Sequence, residues 1–218
     1  MARTVLIGLD GGTFRIFDAL MARGVMPFLA GFVRSGARAE LLSTANPLTP
    51  PAWTSLMTGR TPGHHGIFDF LRVEEKNDDL FFTLHDFRDI RCETIWSVAS
   101  RAGRRVTVLN FPLTAPPEPI KGAIVPGLVS WKHLRRNTHP APLFETLKTL
   151  PGFDAKEMSW DFDLETRAVK AVPPEEYADW IRFHIRRERQ WFSIVRHMME
   201  KEPSDLTAIL FDGTDKLQ

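Results

Sequence analysis

The sequence predicts an α/β fold, a mainly parallel sheet with helices on both faces. Three observations carry this. The run "TVLIGL" at 4–9 is continuously apolar with β-branched members and stops at "DGG", as a strand buried on both faces does. The stretch "DLTAILFDGTD" at 205–215 repeats the pattern, an apolar run closed by small and acidic residues. Between these two, segments with helical spacing alternate with short apolar runs.

The elements follow in order. After the first strand, Phe14, Phe17, Leu20 and Met21 keep a helical interval; the pattern breaks near Gly24 and Pro27 and resumes at Phe28, Leu29, Phe32 and Val33, up to Gly36. Ala37 to Leu42 is read as a strand and 47–51 as a proline-rich turn. "AWTSLMTG" (52–59) reads as a helix of two turns closed by its glycine. "ETIWSVASRAG" (93–103) is predicted as helix and "RVTVLNF" (105–111) as strand. Prolines and glycines crowd 112–140, which is assigned to loops; residues 112–172 are read as a lid or insertion. From Pro174 to Glu202, apolar residues at Tyr177, Trp180, Ile181, Ile185, Trp191, Phe192, Val195 and Met198 mark the longest helix. No internal repeat interrupts the series.

Composition narrows the function classes. The chain has 218 residues, 43% hydrophobic and 25% charged, which is the make-up of a folded globular protein. Its 28 basic and 27 acidic residues nearly cancel, so no whole-protein field draws it to nucleic acid or an anionic membrane. Any phosphate recognition is therefore local. The basic stretch "RFHIRRERQW" (182–191) is read as a solvated helix face, interrupted by Glu188. The single cysteine, Cys92, excludes an internal disulfide and a cysteine-rich zinc site. No run approaches the roughly 20 apolar residues of a membrane span, and "MARTVLIGLDGG" lacks the features of a signal peptide, so a cytoplasmic address is expected.

In open α/β sheets the carboxyl ends of the strands line the ligand crevice. Asp10 and Asp212 or Asp215 are thereby placed on one edge. Two carboxylates at such an edge can bind divalent cations, and a hydroxyl coordinated to a cation loses its proton more easily. Alone, "LDGG" is as much a turn or cap as a ligand site. The stretch "LTPPAWTSLMTGRTPGHHGIFDF" (48–70) is neither a clean helix nor a clean strand, and Thr49, ahead of two prolines, reads either as a helix cap or as a nucleophile.

With "VLIGLDGGTF" (5–14), "TPPAWTSLMTGRTPGHHGIFDF" (49–70), "VLNFPLTAPP" (108–117) and "DLTAILFDGTD" in this order, the chain resembles the alkaline phosphatase superfamily, in its type I phosphodiesterase and nucleotide pyrophosphatase-like branch, including the predicted phosphohydrolase/phosphomutase group. The resemblance spans essentially the whole chain. It implies two divalent metal ions, zinc with manganese as the alternative. By position, Asp10 matches a ligand of one ion, Thr49 the nucleophile that also touches that ion, and Asp215 a ligand of the other in a "D-x-x-x-H" motif. The histidine of that motif falls on the residue after Gln218, and the later "DHG" motif has no counterpart. Residues 1–218 are accordingly expected to be the amino-terminal part of one catalytic domain, apparently truncated, with an open sheet edge that favours self-association.

Other positions are weighed by the same resemblance. Ala52 stands where nucleotide pyrophosphatases carry an asparagine, so oxyanion stabilisation is expected from backbone N–H groups, the metals or another side chain. His64 and His65 are left out of the ligand set, with a structural hydrogen bond expected of His65. Asp212 is read as orienting the ligands, and Asn110 stays open between crevice and turn. The function implied is a metal-dependent phosphohydrolase cleaving phosphodiesters or phosphomonoesters of small molecules through a phosphothreonine intermediate. The alternatives are a phosphomutase, or an inactive remnant or binding module.

Overall fold

The computed structural model describes residues 3–158 and 173–217. In chain order the elements are β1 (Thr4–Leu9), α1 (Phe14–Ala22), α2 (Pro27–Ser35), α3 (Thr49–Thr58), α4 (Pro62–His65), β2 (Leu71–Lys76), β3 (Asp79–Leu84), α5 (Ile95–Arg101), β4 (Val106–Leu109), β5 (Gly122–Val125), α6 (Trp131–Leu134), α7 (Leu143–Leu147), α8 (Ala155–Met158), α9 (Pro174–Lys201) and β6 (Leu206–Phe211). Four strands form a parallel sheet in the order β1-β6-β4-β5. The last strand in sequence thus lies between β1 and β4. Its register pairs Leu9 with Phe211, so the carboxyl ends of β1 and β6 emerge side by side.

Alternation along the strands builds two cores. Leu109, Ala123, Val125 and Ile209 face α7 and α9, where they meet Leu147, Trp191, Ile194 and Met198. Val106, Val108, Ile124, Leu206, Ala208 and Leu210 face the other way, onto Met57 of α3 and Trp96 of α5. The predicted parallel sheet with helices on both faces is present. A period of two on strands covered on both sides leaves no solvent face, which is why these segments read as continuous apolar runs.

Three departures have physical causes. Residues 37–42 form no strand: no neighbouring strand pairs with them, and Leu41 and Leu42 are 86% and 90% exposed. The proline-rich reach after residue 112 contains β5, whose Ala123, Ile124 and Val125 are buried, because four residues suffice for a strand covered on both faces. Finally, β2 and β3 form an antiparallel hairpin, turned by Asn77 and Asp78 with φ of 56° and 64°. Residues 159–172 of the expected lid lie outside the described residues. Among the described residues no single helix is long and apolar enough to cross a membrane; α1 and α2 pass that test only as a pair bent by 109°.

One edge of the sheet is bare on one side. Val5 and Ile7 pair with Thr207 and Ile209, so they share the face that α9 covers farther along, yet they are 43% and 59% exposed. Phe28 and Phe32 on α2 stack on each other at 6.3 Å, and both remain exposed. Apolar exposure of this kind favours association. Sedimentation velocity should show a mass that grows with concentration, reduced by Phe28→Ser with Phe32→Ser; a monomer at every concentration would contradict this.

Candidate active site

The first turn of α3 fixes the central contact. Leu48, not Thr49, occupies the cap position, and no side chain caps the helix. Thr49 is the first helical residue, and its hydroxyl donates to Oδ2 of Asp10 at 3.3 Å. Trp53 stands four residues on, hence on the same helix face. Its Nε1 donates to the other oxygen, Oδ1 of Asp10, at 2.9 Å. One helix face thereby holds both oxygens of one carboxylate. Glycine at position 8 makes room for this: a Cβ there would approach the Trp53 ring to 2.6 Å.

Asp10 itself is anchored through its backbone. Its N–H donates to the Phe211 carbonyl at 2.9 Å, and the Thr214 hydroxyl donates to its carbonyl. Burial raises the Asp10 carboxyl above its ordinary value, and the nearby charges of Asp215 and Asp212 add to the rise; the Trp53 and Thr49 hydrogen bonds oppose it. Asp215 opens the 3-10 turn Asp215–Leu217, with its N–H on the Asp212 carbonyl at 3.2 Å. Asp10 and Thr49 are in contact, and Asp215 is near enough to act on Asp10 through its charge.

Pro50 and Pro51 occupy the next two positions of the turn and carry no N–H, while the Ala52 N–H is used by the Leu48 carbonyl at 3.1 Å. Backbone donors at this helix start are therefore limited to Leu48 and Thr49.

Behind the acidic edge lies a buried polar cluster on α9. Trp180, His184, Arg187 and Trp191 fall on one helical face and are all buried, against the expectation of a solvated face for 182–191. Helical spacing turns Arg186 and Arg189 outward and Arg187 inward. The Arg187 guanidinium pairs with Asp212, which is 6% exposed. Burial pushes the Asp212 carboxyl up, but the charge and hydrogen bond of Arg187 override this and hold it low. Glu188 accepts from the Gly213 N–H at 2.8 Å; burial, reinforced by the Asp212 charge, pushes its carboxyl up to about 7. His184, edge-on to the Trp180 ring at 4.3 Å, is lowered to about 4 by burial and then by Arg187.

These two groups set opposed pH slopes. Glu188, raised when folded, stabilises most below its ordinary 4.5, and that contribution is lost as pH rises through about 7. His184, depressed when folded, stabilises fully above its ordinary 6.5, and that contribution is lost as pH falls toward about 4. Between 4.5 and 6.5 they offset each other. In Glu188→Gln the melting temperature should climb with pH across this window, more steeply than in the parent; parallel profiles would contradict the assignment.

Two further positions are structural. Asn110, 2% exposed and in the left-handed region at φ 59°, donates from Nδ2 to the Leu210 carbonyl at 2.9 Å, so its amide is spent tying β4 to β6 rather than offered to the crevice. His65 is fully buried; its Nδ1 accepts from the Ile67 N–H at 3.1 Å, which leaves Nε2–H for Ser55 Oγ at 2.9 Å.

Among the described residues no group of three or more His, Cys, Asp or Glu side chains converges as a metal cage. The Asp10 carboxylate and the Thr49 hydroxyl do converge, beside the charge of Asp215. Oxygen donors with excess negative charge are the chemistry a divalent cation takes, so these residues fit part of a coordination sphere. Trp53 and Arg187 were not singled out from the sequence. The signal for Trp53 was its i+4 spacing from Thr49; for Arg187 it was the 180-184-187-191 stripe.

The model of the type I phosphodiesterase / nucleotide pyrophosphatase family matches residues 4–218. No curated protein matches. Among solved structures, phosphonoacetate hydrolase from Sinorhizobium meliloti 1021 in complex with phosphonoformate is similar at 18% identity with a TM-score of 0.65, covering 96% of this chain and 46% of that one. The same enzyme in complex with phosphonoacetate gives a TM-score of 0.60 at 18% identity, covering 99% and 47%. The chain thus spans about half the length of these structures. It belongs to the type I phosphodiesterase / nucleotide pyrophosphatase family, with the α/β fold that its resemblance to the alkaline phosphatase superfamily implies.

Proposed function

We propose that the protein is a divalent-metal-dependent phosphoester hydrolase, acting on phosphodiesters or phosphomonoesters, with Thr49 as its nucleophile. The observation that supports this most is the hydrogen bond from the Thr49 hydroxyl to Asp10 Oδ2 at 3.3 Å, made by a threonine that caps nothing. Thr49 Oγ1 gives up its proton to solvent and attacks phosphorus, an O–P bond forms as the ester O–P bond breaks, and the leaving oxygen takes a proton from solvent. Water then cleaves the phosphothreonine and restores the hydroxyl. Asp10 orients the hydroxyl, and Trp53 fixes Asp10. Asp10, Thr49 and Asp215 would hold the divalent cations, zinc or manganese, which supply charge stabilisation and a lowered hydroxyl pKa.

Asp10→Asn tests this through two readouts. An Asp whose pKa is raised on folding costs stability once ionised, so removing its charge should raise the melting temperature in a chelating buffer. Hydrolysis of bis(4-nitrophenyl) phosphate with zinc or manganese added should fall at least about 10²-fold. An active and stabilised variant would contradict the role of Asp10.

A further inference from the structure

An open cleft of about 920 Å³ has Pro50, the residue after Thr49, in its wall. Its volume lies at the upper end of the roughly 300–1,000 Å³ range of small-molecule sites. Its walls come from the loops that leave β4 and β5, through Leu113 and Leu128, and from α6 with the turn after it, through Trp131, Lys132 and Arg136.

Two properties set this cleft apart. The first is its charge. Asp86 in the wall is matched by Arg88 beside it, whereas Lys132 and Arg136 form no ion pair among the described residues. Lys132 lies 5.9 Å from the Trp131 ring, so an aromatic surface adjoins the cation. The second is the backbone. Among the described residues five non-glycine residues adopt positive φ; Asn77 and Asp78 serve the hairpin turn, and the other three, Asn110, Leu113 and Leu128, lie on the loops after β4 and β5. Leucine gains nothing locally from φ of 54° or 52°, so the fold holds both wall residues against their preference.

We propose that the cleft receives the part of the substrate beyond the scissile phosphorus, and that Lys132 and Arg136 select substrates bearing a second anionic group there, a carboxylate or a phosphoryl. This rests on the phosphoester reading above and deepens it by naming the class of ester. Neutral, short esters would leave both cations unmatched. Since both cations are solvent-exposed, the preference should weaken at high salt.

Isothermal titration reads the cleft without turnover. The full chain, with zinc or manganese, is titrated with butylphosphonate, 4-phosphonobutyrate and propane-1,3-diphosphonate. At least one of the two ligands with a second anion should bind about 10-fold tighter than butylphosphonate, and the tighter of the two identifies the group. In Lys132→Ala with Arg136→Ala this advantage should disappear. Equal affinities in the parent, or a preference that survives the double substitution, would overturn the proposal. Hydrolysis of 4-nitrophenyl phosphate esters carrying matched plain and carboxylated tails separates the two readings. A binding preference without turnover of either ester would sink the phosphoesterase and leave the subsite standing; turnover without preference would do the reverse.

Discussion

Thr49→Ala should lower phosphodiester hydrolysis by at least about 10³-fold, with little change in stability. The first half follows from chemistry: without the hydroxyl no phosphothreonine forms, and what remains is whatever water attack the site can still assist. The second follows from position. Thr49 does not cap α3, since Leu48 holds the cap position, and its one side-chain hydrogen bond goes to an Asp10 that Trp53 also holds. A change within about 0.5 kcal/mol is therefore expected. Thr49→Ser keeps the oxygen and should retain much of the rate. Hydrolysis at the parental rate in Thr49→Ala would move the nucleophile elsewhere.

Arg187→Met should destabilise the fold by about 3–5 kcal/mol, roughly 10 °C in melting temperature. Arg187 is 4% exposed and Asp212 6%, so the substitution leaves a carboxylate without its partner in the interior. It also withdraws the donor that reaches the Met158 carbonyl at 3.4 Å. Asp212 then either stays charged at high cost or takes a proton. Its folded pKa rises in the variant, so the loss should be larger at pH 8 than at pH 5. Adding Asp212→Leu should recover most of the stability, because an apolar pair of similar volume carries no stranded charge. A loss under 1 kcal/mol in the single variant would mean that the pair is not buried in solution. The Asp212 backbone carbonyl also accepts the Asp215 N–H, so the residue that Arg187 anchors opens the turn that carries a candidate ligand.

The strand at 206–211 was legible because burial on both faces writes itself as an unbroken apolar run. The run at 4–9 reads the same way and is a strand, but Val5 and Ile7 on one of its faces are exposed, so the expected burial on both faces does not hold there. The long helix was legible from its spacing, although its inner face was not. Tyr177, Ile185 and Phe192 lie exposed at 43%, 42% and 58%, while His184 and Arg187 lie inside. Polarity alone placed those two outside; their partner Asp212 is distant in sequence, and no local pattern announces it. For 37–42 the failure was of another kind. A strand exists only where a neighbour completes its hydrogen bonds, and the sequence does not say where the neighbours are. The hairpin did carry a signal, since Asn-Asp between runs rich in Phe, Leu and Val suits a two-residue turn with both residues left-handed. Of the site, Asp10 and Thr49 follow from the resemblance, but their direct contact and the grip of Trp53 on Asp10 needed the fold, because β1 and α3 are brought together by packing.

The central claim is that Thr49 carries the phosphoryl group between two half-reactions, and acid quenching during turnover tests it most directly. Mass spectrometry of the peptide containing Thr49, after quenching the protein with a phosphodiester and zinc or manganese, should find on that residue the phosphoryl group together with the ester arm that does not leave, and no such adduct anywhere in Thr49→Ala. Steady turnover with Thr49 unmodified at every quench time, or phosphate on another residue, would contradict the account.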